Sequence, residues 1–208
     1  MNIAINLFEA LILIGVILVS LSVHEFAHAW VANLFGDPTA RIQGRMSLNP
    51  ARHWDSVGTT LLVGLIFLSS LGLPVPIFGW GKPVPVDERN FESPKWHGFQ
   101  TAIAGPMSNL LLATLLAGVV RIFDPVGVFE QVLVLAIYLN TFLMFFNLLP
   151  IPPLDGSRIL RLFLPDNIYF ALAGNPLMFY LLFFVVIYFL IQPLGFYSRE
   201  LTNYLLIR

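Results

Sequence analysis

Ser22-Val23-His24-Glu25-Phe26-Ala27-His28-Ala29-Trp30 lies inside an almost uninterrupted apolar run from about residue 3 to residue 35. Such a run reads as one long helix. A separation of four puts His24 and His28 on one face, one turn apart, where both imidazoles reach a single metal ion. Glu25 follows the first histidine about 100° further round, and from there its carboxylate faces a water on that ion. The pattern is H-E-x-x-H, two ligands and a base. Its setting matters more than its letters, because ionisable groups within a membrane-length apolar helix are costly and mark function. The competing reading is a buried polar cluster that joins helices.

The rest of the chain supports a membrane setting. Of 208 residues, 57% are hydrophobic and only 11% charged, against about 25% charged in soluble domains. With 19 Phe and a mean hydropathy of +0.80, the composition predicts an all-α polytopic membrane protein. A net charge of −1 gives no sign of a nucleic-acid partner. No cysteine is present, so disulfides are excluded and a metal site must draw on His, Asp, Glu or Asn. The apolar start lacks preceding basic residues and a small-residue cleavage site, which predicts a retained first membrane helix. One membrane-embedded domain over 1–208 is expected.

Gly36-Asp37-Pro38 ends the first helix, as Gly followed by Pro does. Residues 37–56 form a polar loop with Arg41, Arg45, Arg52 and His53. An apolar stretch at 58–73 precedes Pro74, Pro76, Gly79, Gly81, Pro83 and Pro85, which keep the chain extended. Further apolar helices are predicted at about 99–122 and 128–149, a short helix at 157–164, and a last crossing near 176–191.

The second decisive stretch is Asn147-Leu148-Leu149-Pro150-Ile151-Pro152-Pro153-Leu154-Asp155-Gly156. Its three prolines forbid a continuous helix, and unwound backbone at membrane depth persists only where protein buries it or water fills a cavity. Asp155 is the charged group that this break delivers. It either completes three protein ligands beside the histidines, leaving a fourth position for water, or caps the short helix that follows.

With these residues in view, the chain resembles the site-2 protease family, the intramembrane zinc metalloproteases of peptidase family M50. The matching pieces are His24-Glu25-Phe26-Ala27-His28, Ala104-Gly105-Pro106-Met107-Ser108-Asn109, and Asn147 through Asp155-Gly156. Gly81-Lys82-Pro83-Val84-Pro85-Val86 resembles a subgroup of small bacterial members. The resemblance implies a helical core with a short Pro-rich extended or β segment, and one Zn2+ held by His24, His28 and Asp155. It implies Glu25 as the catalytic base and Asn147 as support for the substrate or the tetrahedral intermediate. It further implies a lipid bilayer setting in a bacterial cell membrane and membrane protein substrates with a transmembrane helix. No inserted PDZ or CBS-type domain is expected. The alternative is a metal-binding membrane protein without proteolytic activity, a transporter or an inactive homologue acting as a chaperone. The intact Glu25 argues against it, since ligands alone suffice to hold metal.

Weaker signals remain. Asn109 reads as an interhelical hydrogen-bonding residue rather than a catalytic one, and His53 with Asp55 as a solvated loop pair rather than a second metal site. Arg158 and Arg161 are expected to meet lipid head groups or the surroundings of the short helix. Pro83 and Pro85 place their donor-free positions on one edge of the extended arm, with Val84 and Val86 presenting N–H and C=O on the other. That edge either holds an unwound substrate by strand addition or tethers the arm to the core. If 58–73 crosses the membrane, Lys and Arg divide six against five. If 58–86 is re-entrant, Arg41, Arg45, Arg52, Lys82, Arg89, Lys95, Arg158 and Arg161 gather on one side against Arg121, Arg199 and Arg208. Eight against three fits the positive-inside rule, which predicts four spans, an external N-terminus and a site nearer the cytoplasmic face.

Overall fold

The computed structural model describes residues 6–175, 177, 184 and 186–207. It is helical, with no strand among the described residues. Helix α1 runs Leu7–Leu34 and starts at an Asn6 cap, whose side chain accepts from the Glu9 N–H while Glu9 accepts from the Asn6 N–H. Its 28 residues span about 42 Å, more than a hydrocarbon core of about 30 Å. A helical turn, α2 (Thr39–Ile42), and α3 (Gly58–Ser70) precede two more long apolar helices, α4 (Pro94–Phe123) and α5 (Val128–Asn147). Helices α1, α4 and α5 are each long and apolar enough to cross a membrane and pack on one another as a bundle.

Small residues let these backbones approach. Ala27, Ala29 and Ala32 on α1 and Ala113 and Ala117 on α4 are buried, the latter two against Leu133 and Ile137 of α5. Without a hydrophobic drive between helices in lipid, such close packing supplies the attraction. Helix α4 begins at residue 94, five residues before the predicted start. Pro94 is favoured in a first turn, and the polar Lys95 and His97 of that turn carry no hydropathy signal.

Helix α3 has only 13 residues, about 20 Å, too short to cross. Leu62 and Ile66 bury against Ala10, Leu13 and Ile17 of α1. The chain then returns to where α3 began: Thr59 Oγ1 donates to the Trp80 carbonyl at 3.0 Å, and the Lys82 N–H donates to the His53 carbonyl at 2.9 Å. Residues 58–86 therefore double back on themselves, the path that a re-entrant arm requires.

After α5 come α6 (Ser157–Phe163), α7 (Asp166–Ala173) and a final helix α8 (Ile191–Leu206). Of the crossing expected near 176–191, residues 176, 178–183 and 185 lie outside the described residues. Helix α8 packs on α5 through Thr141, whose hydroxyl lies 3.2 Å from the Ser198 carbonyl and 3.1 Å from the Thr202 hydroxyl.

Candidate metal centre

The histidines lie in the second half of α1, and the break after α5 brings Asp155 to them. Asp155 Oδ2 stands 3.1 Å from His24 Nε2 and 3.3 Å from His28 Nε2, and the two Nε2 atoms are 3.0 Å apart. Both histidines are buried. Gly156 anchors the aspartate's loop by donating its N–H to the Asn147 carbonyl at 2.7 Å.

The protonation of both rings follows from their other nitrogens. His28 Nδ1 faces the Thr101 carbonyl at 2.7 Å, and His24 Nδ1 faces Asn109 Oδ1 at 2.7 Å. Oxygens of this kind only accept, so each Nδ1 carries the proton and each Nε2 presents a lone pair. The short Nε2–Nε2 separation is then not a hydrogen bond. Two lone pairs and a carboxylate oxygen face one another, and Asp155 Oδ2 is buried with no donor. Such a cluster is repulsive unless a cation sits among its members. Ligands at 2.0–2.1 Å on a tetrahedral ion stand about 3.3 Å apart, close to the spacing seen. Two imidazoles and one carboxylate, without thiolate, suit Zn2+ with an open fourth position. Among the described residues this is the one grouping of three such ligands within reach of a single ion.

Helix α4 closes the back of the site. A Cβ built on Gly105 would collide with His28 Nε2 and lie 2.5 Å from His28 Cε1 and 2.6 Å from His24 Cε1, so only glycine lets α4 lie against both rings. In front, Glu25, His28 and Asp155 open on a cavity of about 370 Å³ whose walls include Val84, Thr101 and Arg158. Glu25 Oε2 accepts the Val84 N–H at 2.7 Å.

The returning arm is fastened on several sides. Buried Arg45 donates to the Lys82 and Pro83 carbonyls at 2.7 and 3.3 Å. Buried Asp37 accepts the Asp87 N–H at 2.8 Å and the Asn90 amide at 2.8 Å. Glu88 pairs with Arg158 and Arg161, and Arg161 also bonds Asp166 at 3.3 Å. These arginines thus meet the surroundings of the short helix.

Other expectations sort as follows. Asn147 ends α5, and its amide donates to the Leu143 carbonyl at 3.0 Å. Its side chain does not line the cavity. Asp55 accepts the Val57 and Gly58 N–H groups at 2.9 and 2.7 Å, which caps α3 and holds its carboxyl below the usual range. His53 is buried against the Ser47 carbonyl, not solvated. Asn109 does join helices, yet it does so while holding a candidate ligand. Asn140, whose carboxamide oxygen accepts from the Asn109 amide, went unnoticed in the sequence; a lone amide inside an apolar run was the available signal.

Sequence comparison agrees with this geometry. The model of "Peptidase family M50" matches residues 123–189. YwhC of Bacillus subtilis is 37% identical over 194 residues, covering 89% of this chain and 82% of that protein. Rip2 of Mycobacterium tuberculosis is 34% identical over 186 residues, 86% of this chain and 66% of its own length. MJ0611 of Methanocaldococcus jannaschii is 26% identical over 161 residues, 77% and 73% respectively. All three are named provisionally as zinc metalloproteases. No solved structure matches. A membrane-embedded metalloprotease is the class that fold, site and relatives define together. The chain belongs to peptidase family M50.

Proposed function

We propose that this chain hydrolyses peptide bonds in or near transmembrane segments of membrane protein substrates, as in regulated intramembrane proteolysis. His24, His28 and Asp155 hold one Zn2+, Glu25 is the general base, and Asn147 supports the developing oxyanion. The observation that carries this reading is the convergence of three metal-binding atoms beside Glu25 on a membrane-crossing helix. Residues 1–208 act as one domain, in a bacterial cell membrane, with the site nearer the cytoplasmic face where eight of the eleven Lys and Arg residues gather.

Zinc, when bound, supplies a Lewis acid that acidifies a water and polarises a carbonyl. Glu25 takes the proton of the attacking water and delivers it to the departing amide nitrogen. Its Oε2 is held by the Val84 N–H, so the carboxylate is oriented before a substrate arrives. The Nδ1–H bonds of both histidines keep the rings aimed. Asn147 lies one main-chain hydrogen bond from the Asp155 loop, and a change of rotamer frees its amide from Leu143 to donate to the oxyanion.

A helical substrate hides its amides in i to i−4 bonds and must unwind before attack. Val84 and Val86 both line the cavity, and extended residues two apart present N–H and C=O on the same edge. That edge supports strand addition by an unwound substrate beside Glu25. The test is cleavage of a model membrane substrate in proteoliposomes by wild type and Glu25→Gln. Equal cleavage by both removes the protease reading.

A further inference from the structure

We propose that Asn140 is a positioning residue for the metal site, acting through Asn109 to fix the tautomer and aim of His24. The inference rests on His24 being a zinc ligand, and it concerns a residue outside the three matching motifs.

The orientation of the chain of amides is determined at its far end. Asn140 Nδ2 lies 2.8 Å from the Ala136 carbonyl and 2.9 Å from Ser20 Oγ. A main-chain carbonyl only accepts, so this end of the amide must donate. Asn140 Oδ1 therefore turns to Asn109, which donates its Nδ2 at 2.8 Å and lies 3.4 Å from the Ser20 carbonyl as well. Asn109 Oδ1 is left facing His24 Nδ1 at 2.7 Å, which places the proton on Nδ1 and the lone pair on Nε2. Asn109 and Asn140 have no exposed surface, and Ser20 has 1%, so water cannot replace a missing member. The two histidines differ in this respect. His28 is aimed by the Thr101 carbonyl, which is main chain, whereas His24 depends on two side chains in series.

The same bonds also join α1, α4 and α5, so the test must separate metal aim from helix adhesion. Zinc affinity of purified protein is measured by chelator competition, and visible absorption of the cobalt-substituted protein reports ligand geometry. Asn140→Leu is expected to weaken zinc binding about 10- to 100-fold, the usual effect of removing a ligand's supporting partner, and to alter the cobalt spectrum. Thr141→Val removes a neighbouring buried bond between α5 and α8; it is expected to lower thermal stability with zinc affinity unchanged. Asn140→Asp, protonated at this depth, still donates to Ala136 and accepts from Asn109, and should restore affinity to within about threefold of wild type, well inside the loss above. Because Asn140 acts through Asn109, the double Leu variant should bind zinc no more weakly than Asn109→Leu alone. Wild-type affinity in folded Asn140→Leu, or in the smaller Asn140→Ala where the Leu variant does not fold, overturns the proposal, as does additivity in the double variant. His28→Ala provides the separate check. Retained zinc there overturns the metal reading itself, whereas loss there with an unaffected Asn140→Leu overturns only the positioning role.

Discussion

Gly105→Ala tests the metal centre without touching any ligand. The added methyl carbon would lie 2.5 Å from His28 Cε1 and 2.6 Å from His24 Cε1. Ordinary contact begins near 3.4 Å, so rings or helix must separate by 0.8 to 0.9 Å (3.4 minus 2.6 and 3.4 minus 2.5). Zinc–nitrogen bonds tolerate departures of about 0.2 Å, roughly a quarter of that displacement. The histidines also cannot retreat freely, because Asn109 and Thr101 hold their Nδ1 atoms from α4 itself. Overpacking of this kind costs about 1–3 kcal/mol of stability, which a bundle of three long helices survives. Misplacement near 1 Å costs about a hundredfold in rate. The expected protein is folded, depleted of zinc and at least about a hundredfold less active, measured by metal content and by cleavage in proteoliposomes. Gly118→Ala on the same helix is the control, since nothing lies within 4 Å of its added carbon. Wild-type zinc content and cleavage in Gly105→Ala would refute the packing argument.

Further outcomes follow from the same geometry. Glu25→Gln keeps the size of the side chain but cannot accept the proton; folded, zinc-loaded protein with cleavage reduced at least about a hundredfold is expected, and substantial residual activity would move the base elsewhere. Burial opposes ionisation of Asp37, but bonds from Thr39, Asn90 and the Asp87 N–H hold its pKa below the usual carboxyl value. A depressed pKa means that this tie is complete above about pH 4 and is lost as pH falls through the lower folded value. The unfolding temperature of wild type should therefore drop on acidification below that pH more than that of Asp37→Asn, and parallel curves would count against the anchor. The chain has no cysteine, so Gln43→Cys, Glu92→Cys, Asn167→Cys and Val126→Cys each introduce one label site. An impermeant thiol reagent should reach only the last in intact cells, and labelling at position 92 there would reject the cytoplasmic placement of the arm.

The parts legible in the sequence share a cause: each is a costly local feature. His24, Glu25 and His28 stand out because charge in a membrane helix is expensive, and their spacing alone sets their common face. Asp155 stands out because three prolines break a helix at membrane depth. Where Lys and Arg fall favours an arm that returns to the side it left, and the short α3 with its doubled-back chain is compatible with that path. What escaped notice depends on pairing across the fold. Gly105 belongs to one of the matching motifs, yet nothing in it announces that what it faces is two imidazole rings. Asn140 reads as a solitary amide until Ser20 and Asn109 are beside it. Helix α8 was missed because Gln192, Ser198, Arg199, Glu200 and Asn203 dilute its hydropathy. Its signal was the spacing of four between buried Leu194, Ser198 and Thr202, a stripe of small and apolar side chains fit to meet α5.

The arm from 82 to 87 is tethered to the core at both ends, and the substrate contact proposed for it would fall to the residues between. The Lys82 N–H is bound by the His53 carbonyl, and the Lys82 and Pro83 carbonyls by Arg45. At the far end the Asp87 N–H is bound by Asp37. These ties fix both ends of the segment. Between them the donor edge turns inward, with Val84 on Glu25 and Val86 in the cavity wall. Had the prolines fallen at 84 and 86, the N–H groups nearest the base would be missing. The observed alternation removes donors at 83 and 85 instead, although Pro83 itself also contributes to the cavity wall. Tethering at the ends is thus what aims the middle, and a substrate strand proposed to pair with that edge would have to take the Val84 N–H over from Glu25.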